Sequence, residues 1–181
     1  MSKQIQFDMS EQYIQHAFSV HRGQSAASSK GRRAQRSRQT ASDPNVIEAM
    51  QYARAQMADP EARALYESHA FVKGRTARSL AMFDYLIAPT IKKIDATKYT
   101  GVVGETIRIR AVDDFMVITV GVLITDSKGE VIERGAAVPQ ISQDQWAYRI
   151  TSWNECLRDC TIVASAHDVA GNITLQTLTL Y

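Results

Sequence analysis

Three groups of residues in this chain have the types and spacing to do chemistry. The first is a run of cations. Residues 21–41, HRGQSAASSKGRRAQRSRQTA, hold Arg22, Lys30, Arg32, Arg33, Arg36 and Arg38 with no acid and no large apolar side chain. Six cations on a tether can neutralise phosphates, and the mixture of serine, threonine and arginine is that of basic arms that meet RNA or anionic surfaces. No aromatic is interleaved to stack on a base, so a protein partner and a plain solvated linker compete with nucleic acid. The second group is Cys156 and Cys160, four apart in SWNECLRDCTI. They have too few neighbours of ligating type for zinc and lie too close together to pin two sheets as in antibody domains. A local disulfide would suit an oxidising compartment; two reduced thiols, as in the cytosol, are the expectation. The third is the pair Asp113-Asp114 between two apolar-alternating stretches, where short carboxylates bond nearby backbone amides and so make a turn.

Other signals are weaker. Lys73-Gly74-Arg75-Thr76 precedes a helix, and a helix start can hold a phosphate through its free amides. Neither that segment nor Gly101-Val-Val-Gly104-Glu-Thr has the glycine-rich phosphate loop with its terminal Lys-Ser/Thr. His16, His21, His69 and His167 are scattered, no serine sits in a nucleophile elbow, and no Cys-His or paired-carboxylate arrangement stands out. The expectation is a protein that is not an enzyme, with no cofactor and no catalytic or metal residues.

The elements that would position these groups read in order. Ile5-Gln6-Phe7-Asp8-Met9 alternates like a short edge strand, and Ser10 caps a brief helix with Tyr13, Ile14, Ala17 and Phe18 on one face. The arginine tract that follows has too little buriable surface to offset its ordering entropy and is expected to be mobile when alone. Asp43-Pro44 and Asp59-Pro60 each place an N-cap and a first-turn proline ahead of a helix. Their packing stripes are Val46, Met50, Ala53, Met57 and then Ala62, Leu65, Tyr66, Ala70. A third helix, ARSLAMFDYLIA, is halted by Pro89 and presents Leu80, Phe83, Leu86 and Ile87.

From Pro89 the pattern is β. Thr90–Asp95 opens, and a pair of strands folded about Asp113-Asp114 follows, with Ile107, Ile109 and Ala111 on one face of the first arm. Ile118, Val120, Val122 and Ile124 share a face of the second. Then come a hairpin at Asp126-Ser-Lys-Gly129, a strand from Glu130 to Val138, strands around Trp146 and Ile162, and a last strand whose parity shift between Leu175 and Leu178 suggests a bulge. The fold class is α+β: an N-terminal arm and helices, then a sandwich of about seven strands.

Two segments, IRIRAVDDFMVITVGVLITDSKGEVIERGAA and IVASAHDVAGNITLQTLTL, also carry a resemblance. They look like the bacterial immunoglobulin-like modules found in repeat arrays of surface and adhesion proteins. In those modules an acidic turn precedes the second core strand and an Asp-x-x-Gly-Asn loop, here Asp168-Val-Ala-Gly171-Asn172, leads into the last. The resemblance covers about residues 90–181 and implies a fold more than a function. It also implies that Asp113, Asp114, His167 and Asp168 lie at one end of the sandwich. There they could hold Ca²⁺ or another divalent ion, or form an acidic rim for a basic partner; the alternative is that each aspartate caps its own turn.

The expected organisation is an arm and basic linker (1–41), a helical segment (42–89) and the sandwich (90–181). Residues 1–95 carry a net +5 and residues 96–181 a net −3, an asymmetry that fits two modules or attraction between copies. No apolar run reaches the roughly 20 residues that span a bilayer, and MSKQIQFDMSEQ is not a secretory signal, so the expected origin is cytoplasmic, with export not excluded. The favoured function is a structural or interaction protein. Ile5, Phe7, Ile14 and Phe18, with Arg32, Arg33, Arg36 and Arg38, would anchor it to further copies or another subunit. The alternative is a regulatory or nucleic-acid-associated protein whose basic arm binds polyanions.

Overall fold

The computed structural model describes residues 43–181 apart from Gln143 and Cys156. Three helices open it: α1 (Pro44–Ala58), α2 (Pro60–Ala70) and α3 (Ala77–Leu86). Each start is built as its sequence dictates. The Asp43 carboxylate accepts from Asn45 N at 3.0 Å, Asp59 from Glu61 N and Ala62 N at 2.9 and 2.8 Å, and Thr76 Oγ1 from Ser79 N at 3.2 Å. Asp59 alone separates α1 from α2, so the two helices turn sharply on one residue.

Eight strands follow: β1 (Thr90–Asp95), β2 (Thr106–Val112), β3 (Val117–Thr125), β4 (Val131–Ala136), β5 (Val138–Pro139), β6 (Gln145–Arg149), β7 (Thr161–Asp168) and β8 (Ile173–Thr179). They form two antiparallel sheets, β1-β2-β6-β5 and β4-β3-β7-β8. That order is the ABED against C′CFG arrangement of an immunoglobulin-like sandwich. Its core joins Ile107, Ile109, Ala111, Trp146 and Tyr148 of one sheet to Val120, Val122, Ile124, Ile162, Ala164 and Ala166 of the other. Each isoleucine so buried contributes about 1.5–3 kcal/mol of transfer free energy.

The structure departs from the sequence reading in five places. The arms flanking Asp113-Asp114 are not a hairpin: β2 pairs with β1 and β6, and β3 with β4 and β7, so the acidic turn carries the chain from one sheet to the other. Two strands that each have one apolar face satisfy both by burying them against each other. Ile118 is exposed, because the β3–β7 register shifts between Val117 and Thr119 and turns it off the core face. The stretch Glu130–Val138 is two strands, with Ala137 buried between β4 and β5 as the chain changes sheets. β8 pairs with β7 without a register shift from Ile173 to Thr179, so there is no bulge. Leu178 faces the core and Leu175 the other side because they differ by an odd number of residues.

The fifth departure concerns the helices. They bury Ala53, Tyr66, Leu80 and Ala81 around Phe115, with Tyr52, Met57, Met82, Met116 and Val169 at the margin. Met50, Leu65, Phe83, Leu86 and Ile87, expected inside, are among the exposed large apolar side chains. Leu80 is buried as expected, and α3 turns Ala81 and Asp84 inward beside it. Helices and sandwich belong to one compact unit.

Candidate functional site

The acidic end of the sandwich is where sequence reading placed its one possible constellation, and the carboxylates lie there within electrostatic reach of one another. Asp113 and Asp114 come from the β2–β3 turn, Asp168 from the end of β7, and a fourth, Asp84, from α3. Asp84 and Asp168 are 0% and 1% exposed, which makes their environment, not solvent, decide their charge.

Each has an assigned partner. Asp113 Oδ2 accepts from Phe115 N at 2.7 Å and Met116 N at 3.0 Å, closing its own turn. Asp114 Oδ2 lies 3.2 Å from Arg75 Nη1, an ion pair without hydrogen-bond alignment. The same guanidinium sits 3.7 Å over the Phe83 ring, so the Lys73–Thr76 turn spends its arginine on the fold. Asp168 accepts from Asn172 N and Asn172 Nδ2, both at 2.7 Å. Asn172 Nδ2 also reaches Asp84 O at 2.8 Å and Tyr85 O at 3.3 Å, so one side chain ties the β7–β8 turn to the last turn of α3.

Asp84 is held by the helical layer. Tyr66 donates to Asp84 Oδ2 at 2.5 Å, and the Tyr52 and Tyr66 hydroxyls are 2.9 Å apart, which makes a chain across α1, α2 and α3. Tyr66 stacks on Phe115 with centroids 4.5 Å apart, and His69 meets Phe115 edge-on at 5.4 Å. Burial pushes the Asp84 carboxyl up to about 7, opposed by the Tyr66 hydrogen bond and reinforced by Asp168, Asp113 and Asp114. Burial likewise raises Asp168, with the Asn172 bonds opposing, and raises Tyr52 to about 12. Tyr66 is pushed up by burial and then by its bond to Asp84. Asp84 Oδ1 and Asp113 Oδ1 are buried without a hydrogen-bond partner, at a cost of about 1–3 kcal/mol each, smaller for Asp84 when its carboxyl is protonated.

His167 does not join them. Strand alternation sends it to the face of β7 opposite Asp168, where it is buried and its imidazole is held below its ordinary value by desolvation. Among the described residues no three His, Cys, Asp or Glu side chains are grouped so as to hold a metal ion. The reading in which the turn aspartates cap their own turns describes Asp113 and Asp168. The arrangement acts as a clamp of helices on sandwich.

A third buried carboxylate pins the two sheets together. Glu133 Oε2 on β4 accepts from Tyr148 OH at 3.0 Å, Thr151 N at 2.9 Å and Thr151 Oγ1 at 2.7 Å. Nearby, Asn154 Nδ2 donates to Tyr99 OH at 3.2 Å, and Cys160 is buried beside it. Cys156 lies outside the described residues, as do the expected anchor residues Ile5, Phe7, Ile14, Phe18, Arg32, Arg33, Arg36 and Arg38. Sequence reading missed Asp84, Tyr66 and Asn172. The available signal was the spacing Leu80, Ala81, Asp84, which puts the acid on the buried stripe of α3.

The site and strand order together define an immunoglobulin-like sandwich with a helical layer clamped to one end. No family model matches the chain, and no curated protein matches it. Among solved structures, CopC from Methylosinus trichosporium OB3b aligns over 50% of this chain and 89% of its own, at 11% identity and a TM-score of 0.38. An engineered protein aligns over 51% of this chain and 18% of its own, at 18% identity and a TM-score of 0.35. No helix of the described residues is long and apolar enough to cross a membrane.

Proposed function

We propose that this chain is a non-enzymatic structural or interaction subunit. Its clamped helix-and-sandwich unit serves as the rigid body, and its N-terminal residues Ile5, Phe7, Ile14 and Phe18, with the arginine tract, anchor it to further copies or to another subunit. On this reading the immunoglobulin-like half is a module of the bacterial surface or adhesion type, used as a spacer and contact surface.

The observation that supports it is the outward apolar surface of the helical layer. Phe71 and Val72 are 93% and 83% exposed at the α2–α3 turn, and Ile47, Met50, Phe83, Leu86 and Ile87 are also exposed. A chain that buries an aspartate in its helical core while leaving these side chains outside gains from a neighbour that covers them. Light scattering after size exclusion tests this on the full chain and on a chain begun at Asp43, at low and physiological salt. The full chain self-associates with little salt response and the shortened one is monomeric. Equal behaviour of the two overturns the proposal, and association that collapses with salt transfers the case to polyanion binding through the arginines.

A further inference from the structure

The outer face of the β1-β2-β6 sheet carries cations that the fold does not use. Lys93 pairs with Asp95 at 2.8 Å and Arg110 with Asp144 at 2.7 Å, but Lys98 and Arg108 have no carboxylate partner among the described residues. Both line a cleft of about 290 Å³ at the β1–β2 end, whose other walls are Asp95, Thr97, Glu105 and Thr106.

The two acids of the cleft are already engaged. Asp95 accepts from Lys93 Nζ, from Thr97 N at 3.2 Å and from Thr97 Oγ1 at 2.7 Å. Glu105 accepts from Thr100 N at 2.7 Å, Thr100 Oγ1 at 2.6 Å and Val102 N at 3.2 Å. These bonds, led by Lys93 for Asp95 and by Thr100 for Glu105, hold both carboxyls below their ordinary values, so they stay ionised and occupied. They also fix the 95–105 loop, as does Gly101, whose φ of +87° and seat against the Asn154 carbonyl leave no room for a Cβ. The walls are therefore preorganised, and the uncommitted donors are the Arg108 guanidinium, the Lys98 ammonium and the Thr106 hydroxyl.

We propose that this cleft binds a ligand bearing a single carboxylate, gripped by Arg108 with Lys98 and Thr106 beside it. A guanidinium fork matches a carboxylate with two parallel hydrogen bonds. Lys93, which is not a wall of the cleft, offsets Asp95, so the two cations that do line it, Lys98 and Arg108, face the one remaining carboxylate charge of Glu105, which leaves one positive charge to be met. A phosphate dianion or a phosphodiester chain would bring charge against Asp95 and Glu105. The volume suits a small acid or one acidic side chain. The inference does not depend on the assembly reading above.

The test is an amide-shift titration of the isotope-labelled full chain with three probes: N-acetylglycine, an acetylated and amidated Gly-Glu-Gly peptide, and inorganic phosphate. Both carboxylates shift the amides of Thr97, Lys98, Thr106 and Arg108 saturably, and the tighter of the two tells a free acid or chain end from an acidic side chain. Arg108→Gln weakens binding at least about tenfold, the value of one charge-assisted pair, while Lys128→Gln on the other sheet leaves it unchanged. Non-saturating shifts, unaltered binding in Arg108→Gln, or phosphate binding tighter than either carboxylate overturns the proposal.

Discussion

Asp84 is the residue on which the helical layer turns, and its protonation gives the molecule a pH dependence of definite sign. Its carboxyl keeps a proton up to about 7 in the folded chain but loses it near the ordinary 3.8 when unfolded. Between those values the native state binds the extra proton, so the stabilisation is complete below 3.8 and is lost as pH rises through about 7. The groups that face it are Tyr52 on α1, Tyr66 on α2, Asp113 and Asp114 on the β2–β3 turn and Asp168 on β7, with Arg75 taken up by Asp114. Asp168, also raised, acts in the same direction. His167 acts in the opposite one, because a buried imidazole held below 6.5 loses stability as pH falls through its folded value. Asp84→Asn isolates the first contribution. Relative to the parent chain the variant gains ~1–4 kcal/mol between about pH 4 and about pH 8, read by chemical denaturation. A difference that does not change with pH would show Asp84 to be ionised throughout. At this scale the turn acids were legible in the sequence, since Asp113 and Asp168 stand at strand ends where a carboxylate has amides to bond. Asp84 was not, because a lone acid among apolar residues reads as the solvent side of a helix, and only its spacing from Leu80 and the small Ala81 marks the true inner face.

Elements were legible in type and incomplete in partnership. Alternation in Thr106–Val112 and Val117–Thr125 fixes which face of each strand is buried, but nothing in a period of two says which sheet a strand joins, and so the acidic turn read as a hairpin. The same limit hid the break at Ala137, where one extended run serves both sheets. It also hid the clamp, which depends on a residue of the β7–β8 turn meeting a helix some 87–88 positions earlier in the chain. Asn172→Ala tests that clamp. It removes the amide that reaches Asp168 Oδ2, Asp84 O and Tyr85 O, leaving a buried carboxylate and the end of α3 short of donors. The expected cost is ~1–3 kcal/mol, with faster amide exchange in Ala77–Leu86 and unchanged protection in β2, β3 and β6. Equal exchange in α3 would mean that packing alone holds it.

For the whole molecule the question is whether the sandwich stands without its helical layer. Phe115 is 5% exposed because Tyr66 stacks on it and His69 meets its edge, and Met116 and Val169 share that shelter. Thr174 Oγ1 donates to Pro89 O at 2.5 Å, which carries the tie from β8 back to the segment joining α3 to β1. A chain begun at Asp43 keeps all of this and melts in one transition. A chain begun at Ile91 lays bare Phe115 and strips Asn172 of two acceptors. Aromatic side chains of this kind bury about 150–250 Å² each, worth several kcal/mol at about 25 cal/mol per Å². Against a total stability of about 5–15 kcal/mol that loss is large, and it lowers the midpoint of thermal unfolding by roughly 10 °C or more. Calorimetry on the two chains decides it. Equal midpoints would make the helices an appendage and return the boundary to Pro89; a lower midpoint with increased binding of an apolar dye makes Asp43–Tyr181 the smallest unit whose core is closed.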